Sequence, residues 1–317
     1  MAEARNDEDF EVFVYMGGDQ EVPHGVRRVR IHKSVKSIPA RAFQNRENLI
    51  YVEFHDEIEV IEVEAFNGCS SLSGCIKLLG VKIIKEKAFY DCFALTGVEF
   101  GDVLETVEFS AFRGCELFTS IKMSSVRTIG THVFANCDRL YRVEFGESLR
   151  TLDRFAFLCC SELNRITLPL RCTVEFRAFY KCPNLKMVDL AGGVHRTAAS
   201  LHMESWRNEM MDEINRINQV LPDTDDGQKT EQIQQWIETV TRQLNHYKTE
   251  HHKILKEATT LLELALWKAK LNDNGGCERE GVKIMRGGRK RARTAVSVTS
   301  GANIVIENVL PFIQLIA

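Results

Sequence analysis

The sequence predicts an α/β fold, in which a repeat solenoid with a parallel β-sheet precedes an α-helical C-terminal region containing one long helix. Two observations carry this prediction. Between residues 38 and 196 one phrase recurs seven times with a period of 22 or 23 residues, and after residue 196 the apolar residues change to helical spacing. A period of this length is typical of stacked coils that each contact their neighbours.

Each copy reads as an aliphatic residue, three variable positions, and then Ala-Phe-x-x-Cys-x-x-Leu-x-x-Val-x-Phe. The last part alternates apolar and polar residues, which predicts one half-buried strand per coil and hence a parallel sheet. The Ala-Phe-x-x-Cys part is too short for a stable helix and predicts a helical turn on the return path. In the second coil, Cys75-Ile76-Lys77-Leu78 is displaced by one residue, so a bulge is expected there. The anchoring phenylalanines are Phe43, Phe66, Phe89, Phe112, Phe134, Phe157 and Phe179.

These motifs resemble those of leucine-rich repeat proteins of the BspA-like type. Leu-x-x-Val-x-Phe matches the strand half of the leucine-rich consensus, and Ala-Phe-x-x-Cys matches the return half of this subtype, over residues 38–196. The resemblance implies a leucine-rich repeat solenoid, with residues 1–37 as its N-terminal cap and a further strand at Val29-Arg30-Ile31. It specifies the fold but not the function, because one fold hosts many unrelated activities.

Composition fits a protein with a substantial core. The chain has 317 residues, a net charge of -3 and 44% hydrophobic residues, so nothing in the overall charge favours nucleic acid. The first nine residues are acidic and lack an apolar stretch. We therefore expect no secretory signal and an intracellular location, cytoplasmic or nuclear.

Six of the ten cysteines occupy one inward-facing column of the repeat. In a reducing compartment a small apolar thiol is an ordinary core residue, which is the interpretation we favour. Their spacing leaves a disulfide, redox or metal role as the alternative, but the chain has no Cys-x-x-Cys pair. We expect no metal and no cofactor. The six are Cys69, Cys92, Cys115, Cys137, Cys160 and Cys182.

Residues 197–271 predict a helical hairpin with helices at about 201–221 and 229–271, separated by an Asp- and Gly-rich loop. The second helix carries apolar residues at 4-3 spacing, as in a coiled coil, and spans about 64 Å. It either pairs with the first helix or self-associates through its uncovered stripe. His246, His251 and His252 lie on it, but they lack the i, i+4 spacing that two metal ligands on one helix face need.

A basic linker at residues 272–295 precedes an apolar segment at 296–317. Arg289, Lys290, Arg291 and Arg293 fit a solubilising loop, a nuclear-import signal or a nucleic-acid contact. The apolar segment is too short and too polar to cross a bilayer, so we expect it to pack on the helices. It and the end of the long helix resemble the tails of repeat proteins found in single-celled algae.

The sequence has no phosphate-binding glycine loop, His-Glu-x-x-His or Gly-x-Ser-x-Gly motif, so we do not expect an enzyme. A repeat array presents a concave sheet face on which the residues between core positions are free to bind. Their mixture of aromatic residues and both charge signs favours a protein partner, with Arg142 and Arg165 as anchors for an acidic one. The predicted function is an adaptor; the alternative is a nuclear regulatory protein that uses its basic linker. The predicted partner-binding residues are Tyr51, Glu53, His55, Glu99, Lys122, Arg142, Glu144, Arg165, Met187 and Asp189.

Overall fold

The computed structural model describes residues 11–18, 20–193, 201 and 203–274. The described residues form two compact units. One contains the repeats together with residues 207–242, and the other contains residues 201, 203–206 and 243–274. The helical residues 207–242 lie in the same compact unit as the repeats.

A long strand from each coil lies parallel to the strand of the next coil, as the period-2 alternation predicts. These strands form three ladders, β1-β2-β4, β6-β8 and β10-β12-β14-β16. The bulge predicted in the second coil is confirmed, because the pairing of β6 with β8 shifts between Gly74 and Cys75. The long strands are β1 Val12–Tyr15, β2 Arg28–Ile31, β4 Tyr51–Glu53, β6 Gly74–Leu78, β8 Leu95–Phe100, β10 Ser120–Met123, β12 Arg142–Phe145, β14 Arg165–Leu168 and β16 Met187–Leu190.

Each coil also contains a second, two-residue strand, which the sequence analysis did not predict. These short strands build a continuous parallel sheet of seven strands in the order β15-β13-β11-β9-β7-β5-β3. The second residue of each is the aliphatic residue that opens the repeat, and it is buried. The short strands are β3 Ser37–Ile38, β5 Val60–Ile61, β7 Ile83–Ile84, β9 Thr106–Val107, β11 Thr128–Ile129, β13 Thr151–Leu152 and β15 Thr173–Val174.

The return path is not helical, contrary to the predicted helical turn. In every coil the residues two before and two after the anchoring phenylalanine have positive φ, as at Arg41 and Asn45, where φ is 60° and 54°. This left-handed pair turns the backbone N–H groups toward the next coil. The N–H of Phe43 donates to the carbonyl of Ala65 at 2.8 Å, and the N–H of Phe66 repeats the bond to Ala88 at 2.8 Å. Hydrogen bonds between coils replace those of a helix.

The seven anchoring phenylalanines stack through the centre of the solenoid. All are fully buried, and successive ring centroids lie 4.8 to 5.7 Å apart with nearly parallel planes. At the N-terminal end Tyr15 packs edge-on against Phe43 at 5.0 Å, and Val22 and Val26 are buried. This N-terminal cap covers the first ring of the stack.

The six cysteines of the column are buried, free thiols. Each donates its S–H to the carbonyl of the anchoring phenylalanine one coil earlier, as Cys69 does to Phe43 at 3.1 Å and Cys160 does to Phe134 at 3.0 Å. Burial raises the pKa of the Cys69 thiol to about 12. The core interpretation of the column therefore agrees with the structure.

Two helices close the C-terminal end of the solenoid. They are α1 Glu204–Val220 and α2 Lys229–Asn274, joined through a 3-10 turn at Leu221–Asp223, and both were predicted from the helical spacing. Met210, Ile214 and Ile217 of α1 are buried, as are Ile233 and Val240 of α2. No helix within the described ranges is long and apolar enough to cross a membrane.

Polar side chains of these helices bond to the backbone of the last coil. The hydroxyl of Thr230 accepts the N–H of Phe179 at 3.1 Å. In the other coils this N–H bonds to the carbonyl of the residue before the next anchoring phenylalanine. Gln234 accepts the N–H of Val174 at 3.0 Å, and Asn218 bonds to both the N–H and the carbonyl of Val188 at 2.7 and 3.2 Å. The helices thus take the place of an eighth coil.

Lys229 is the most deeply buried charge of this cap, with a side chain only 1% exposed. Its Nζ donates to the carbonyls of Cys182, Pro183 and Leu185 at 3.0, 2.6 and 3.1 Å, and Asp226 lies 3.6 Å away. Burial lowers the pKa of Lys229, while Asp226 opposes the shift. The bonds to Cys182 and Leu185 are buried, and the Cys182 carbonyl also accepts the N–H of Leu185 at 3.2 Å.

We predict that Lys229→Met lowers the free energy of unfolding by about 3 kcal/mol, because methionine fills the space but removes three charge-assisted hydrogen bonds to the last coil, two of them buried. Urea unfolding of the full-length chain measures the change. Lys186→Met, at an exposed neighbouring lysine, is the control and should change stability by less than about 0.5 kcal/mol. Equal effects of the two substitutions would contradict the role of Lys229.

Thiol labelling distinguishes the column from the surface cysteines. Cys75 is exposed, so at pH 8 iodoacetamide should modify it first. The six column thiols should react only after unfolding, because burial makes them inaccessible to the reagent. Peptide mass spectrometry gives the modified fraction at each site; labelling of Cys115 at the rate of Cys75 would refute the buried column.

Candidate functional site

The solvent-facing residues of the long strands form the strand face, which is the candidate binding surface. The ten residues predicted from the sequence lie on this face or directly after its strands. Their side chains are exposed or half-buried while the alternating residues are buried, as in β12, where Val143 and Phe145 face the core. Tyr51 is 46% and Met187 36% exposed. The pleat of each strand thus places them on the outer surface.

The strand pairing brings the two predicted arginine anchors together. Arg142 of β12 lies opposite Arg165 of β14, and Met187 of β16 continues the same row. Two residues further along the strands lies a second row of outward-facing residues. In this row Lys122 of β10 lies opposite Glu144 of β12, and Asp189 of β16 is the last member. Directly opposite residues on neighbouring strands lie about 5 Å apart.

Both arginines have carboxylate partners on the same face. Arg165 makes a two-point contact with Asp189, including an Nη2–Oδ1 distance of 2.9 Å, and this hydrogen bonding raises the pKa of Arg165. Nε of Arg142 lies 2.7 Å from Oε1 of Glu144. Because the side chains are about one-third to one-half exposed, these pairs contribute little to stability but orient the guanidinium groups.

The N-terminal part of the face is also charge-compensated. Glu53 pairs with Arg30 at 2.7 Å, and Glu99 pairs with Lys77 at 3.4 Å. His55 donates its Nε2–H to a backbone carbonyl, that of His32, at 3.0 Å, so its ring is fixed against the preceding coil.

The long-strand ladder is interrupted between β8 and β10, where no pairing joins the two strands. A groove of about 610 Å³ opens at this interruption, lined by Thr96, Glu99, Ser120 and Lys122 among others. Within the described ranges no carboxylate pairs with Lys122, which therefore offers an uncompensated positive charge at the edge of the groove.

Tyr141 was missed by the sequence analysis. It precedes β12, next to Arg142, and is 54% exposed, which makes it one of the most exposed aromatic residues of the solenoid. It stands directly after a core leucine, a position that the assumed strand offsets excluded. A large aromatic residue where the two neighbouring coils carry Thr119 and Asn164 was the available signal.

The return path carries a second surface that sequence reasoning missed, an aromatic row formed by Phe109, His132, Phe155 and Phe176. Neighbouring ring centroids lie 5.9, 5.2 and 6.2 Å apart, and the guanidinium of Arg177 covers Phe176 at 4.8 Å. Aromatic rings recurring two or three positions before the anchoring phenylalanine in successive coils were its signal.

No catalytic arrangement was predicted, and the carboxylates Glu53, Glu99, Glu144 and Asp189 of the strand face form surface ion pairs. Among the side chains that the structure describes, no three His, Cys, Asp or Glu residues are placed to hold a metal ion. Arg289, Lys290, Arg291 and Arg293 lie outside the described residues, so their predicted roles stay predictions.

Comparison with known proteins gives one family match. The family described as "BspA type Leucine rich repeat region" matches residues 24–117 and 82–205, with six copies. A search of the curated proteins found no match.

Similar solved structures are bacterial repeat proteins. The leucine-rich repeat protein of T. pallidum shares 22% identity over 51% of this chain and 79% of its own, with a TM-score of 0.47. A leucine-rich repeat protein from Eubacterium ventriosum shares 21% identity over 56% of this chain and 53% of its own, with a TM-score of 0.40. One from Bacteroides ovatus shares 22% over 57% and 63%, with a TM-score of 0.37. This chain therefore spans less than two thirds of the last two.

The aromatic row generates a pH prediction. The buried Nδ1 of His132 has no hydrogen-bond partner, and burial, aided by the charge of Arg113, lowers the pKa of His132. A lowered folded-state pKa means that the unfolded chain binds the proton more readily, so stability is lost as pH falls below the ordinary histidine value of about 6.5. His132→Phe should remove this part of the loss and raise stability at pH 6 by roughly 1 kcal/mol.

Thermal or urea unfolding between pH 5 and 8 measures this effect, with the exposed His24 as the control position. His24→Asn should leave the pH slope as in the parent chain. If His132→Phe leaves the dependence of unfolding free energy on pH unchanged, burial in the aromatic row does not disfavour the charged form of His132.

Proposed function

Because this chain belongs to the BspA-type leucine-rich repeat family, we propose that it is a non-enzymatic adaptor that binds a partner protein through the strand face. Repeat proteins of this kind generally serve as protein-interaction modules. The observation that carries the proposal is the cluster of exposed Tyr141, paired Arg142 and Arg165, and Met187 on adjoining strands.

The residue types of this cluster support a protein partner. Tyrosine, arginine and methionine are enriched in the centres of protein interfaces, and arginine and tyrosine dominate the residues that contribute most to binding. The strands hold the cluster on a rigid sheet, so little conformational entropy is lost when a partner binds. A phosphate-binding surface would instead carry uncompensated basic charge.

The existing ion pairs do not prevent the arginines from binding an acidic partner. A guanidinium has five N–H donors, and the pair with Glu144 engages Arg142 through Nε. Glu144 fixes the side chain while the remaining donors are left for a carboxylate on the partner. Lys122, which has no carboxylate partner among the described residues, extends the positive edge of the same surface.

The decisive experiment compares charge reversals that are equal in size but differ in position. Arg142→Glu with Arg165→Glu should abolish partner capture by the full-length chain, because four units of charge change at the centre of the face. Arg127→Glu with Arg154→Glu changes the same charge at exposed positions off the face and should leave capture unchanged. Circular dichroism and the unfolding midpoint confirm that both variants fold.

The unsubstituted full-length chain is used to capture partners from its native cell extract at moderate salt, and mass spectrometry identifies the captured protein. Glu144→Gln with Asp189→Asn serves as the complementary variant, since it releases both arginines and should strengthen capture of an acidic partner. If the Arg142→Glu, Arg165→Glu variant captures as much partner as the Arg127→Glu, Arg154→Glu variant, the strand-face assignment is wrong.

The nuclear alternative rests on four basic residues within five positions, Arg289, Lys290, Arg291 and Arg293. Neutralising all four should abolish nuclear accumulation or salt-sensitive nucleic-acid binding if the linker has either role. The strand-face variants distinguish the two functions, because they leave this linker intact.

A further inference from the structure

Helix α2 carries an apolar stripe in its second half whose side chains are exposed or half-buried. At 100° per residue the members of this distal stripe lie within about 140° of the helix circumference, and the charged side chains lie mostly on the opposite side. The stripe consists of Ile254, Leu255, Ala258, Leu261, Leu262, Ala265, Leu266 and Ala269.

Burial along the helix changes after Tyr247. Ile233 and Val240 are fully buried and Tyr247 is 7% exposed, whereas Ile254 and Leu261 are 42% and 67% exposed. The cause is the difference in helix length, since α1 has 17 residues and α2 has 46. Trp206, in the first turn of α1, stacks on Tyr247 at 5.1 Å. Beyond that contact, α2 continues for about 40 Å.

A stripe of this width is not the seam of a two-stranded coiled coil. Coiled coils carry opposite charges at the positions that flank the seam. Here three flanking positions are Leu255, Leu262 and Leu264, and in a parallel pair Glu250 and Glu257 would lie beside leucines of the second copy. A second α2 in parallel orientation would therefore place carboxylates against apolar surface.

The chain contains a segment whose composition complements the stripe. Residues 302–317 include nine large apolar residues and a single charge, Glu307. We propose that residues 302–317 dock on the distal stripe of α2 in the same molecule. The apolar residues are Ile304, Val305, Ile306, Val309, Leu310, Phe312, Ile313, Leu315 and Ile316.

The connecting chain has the length that this docking needs. Residues 275–301 provide 27 residues rich in glycine and basic side chains, for which the root-mean-square span is about 30 Å. The distance back along the helix from its end to Leu261 is about 20 Å. A linker matched to its span gives an effective concentration in the millimolar range, which exceeds the concentration of a second copy in solution.

Hydrogen exchange measured by mass spectrometry tests the proposal on the full-length chain and on a chain that ends at residue 301. Removing residues 302–317 should accelerate exchange of the amides of residues 254–266 by about tenfold or more, because the helix loses its tertiary support. Protection of residues 229–242 should stay unchanged, which shows that the C-terminal cap is intact.

Point substitutions on neighbouring residues give the matched control. Leu261→Asp places a charge in the stripe and should reproduce the tenfold acceleration in the full-length chain. Thr260→Asp places the same charge on the opposite side of the helix and should not. If the deletion and Leu261→Asp both leave exchange at residues 254–266 as in the parent chain, the docking proposal is wrong.

Light scattering identifies the competing occupant, a second copy. The parent chain is expected to be a monomer at micromolar concentration. A dimer that persists without residues 302–317 but dissociates in Leu261→Asp would overturn the proposal and assign the distal stripe to self-association.

Discussion

The structure depends on one constraint, which is that every backbone group at the boundary between two coils must find a partner in the next coil. Within the array the short strands and the return path satisfy this by hydrogen bonding to the next coil, and the long strands do so within each of their three ladders. The last coil has no such neighbour, and its groups are satisfied by Asn218, Lys229, Thr230 and Gln234. Residues 207–242 of the helices therefore complete the repeat unit.

The core residues also stabilise the boundary between adjacent coils. The stacked phenylalanine rings and the S–H bonds of the cysteine column both join adjacent coils rather than residues within one coil. A left-handed backbone conformation at residues other than glycine costs of order 1 kcal/mol. Five coils adopt it at two such residues, and the other two coils have Gly68 and Gly114 at the second position. This cost is offset because the N–H groups of the return path point at the next coil and bond to it. In a helical turn the same N–H groups would point along the helix axis.

Much of the fold follows from the sequence because period and alternation are properties of the side chains. The anchoring phenylalanines, the long strands, the bulge at Cys75 and both helices were predicted from them. The left-handed positions were not predictable, because residues as different as Arg41, Ser110 and Phe155 occupy them and the backbone geometry is set by bonds to the next coil. For the binding face, strand alternation gave the outward positions, but the pairing of Arg165 with Asp189 depends on the coil spacing. Tyr141 was missed because exposure at the edge of a strand does not follow its alternation.

The cap also bears on how such a chain can change its length. Its bonds go mostly to backbone atoms of the final coil, such as the carbonyls of Cys182, Pro183 and Leu185, and backbone atoms are the same in every coil. Duplication of an internal coil would thus leave both ends fitted and lengthen the sheet by about 4.8 Å. Genetic gain or loss of whole coils therefore offers a route to a wider or narrower recognition surface without redesign of the termini.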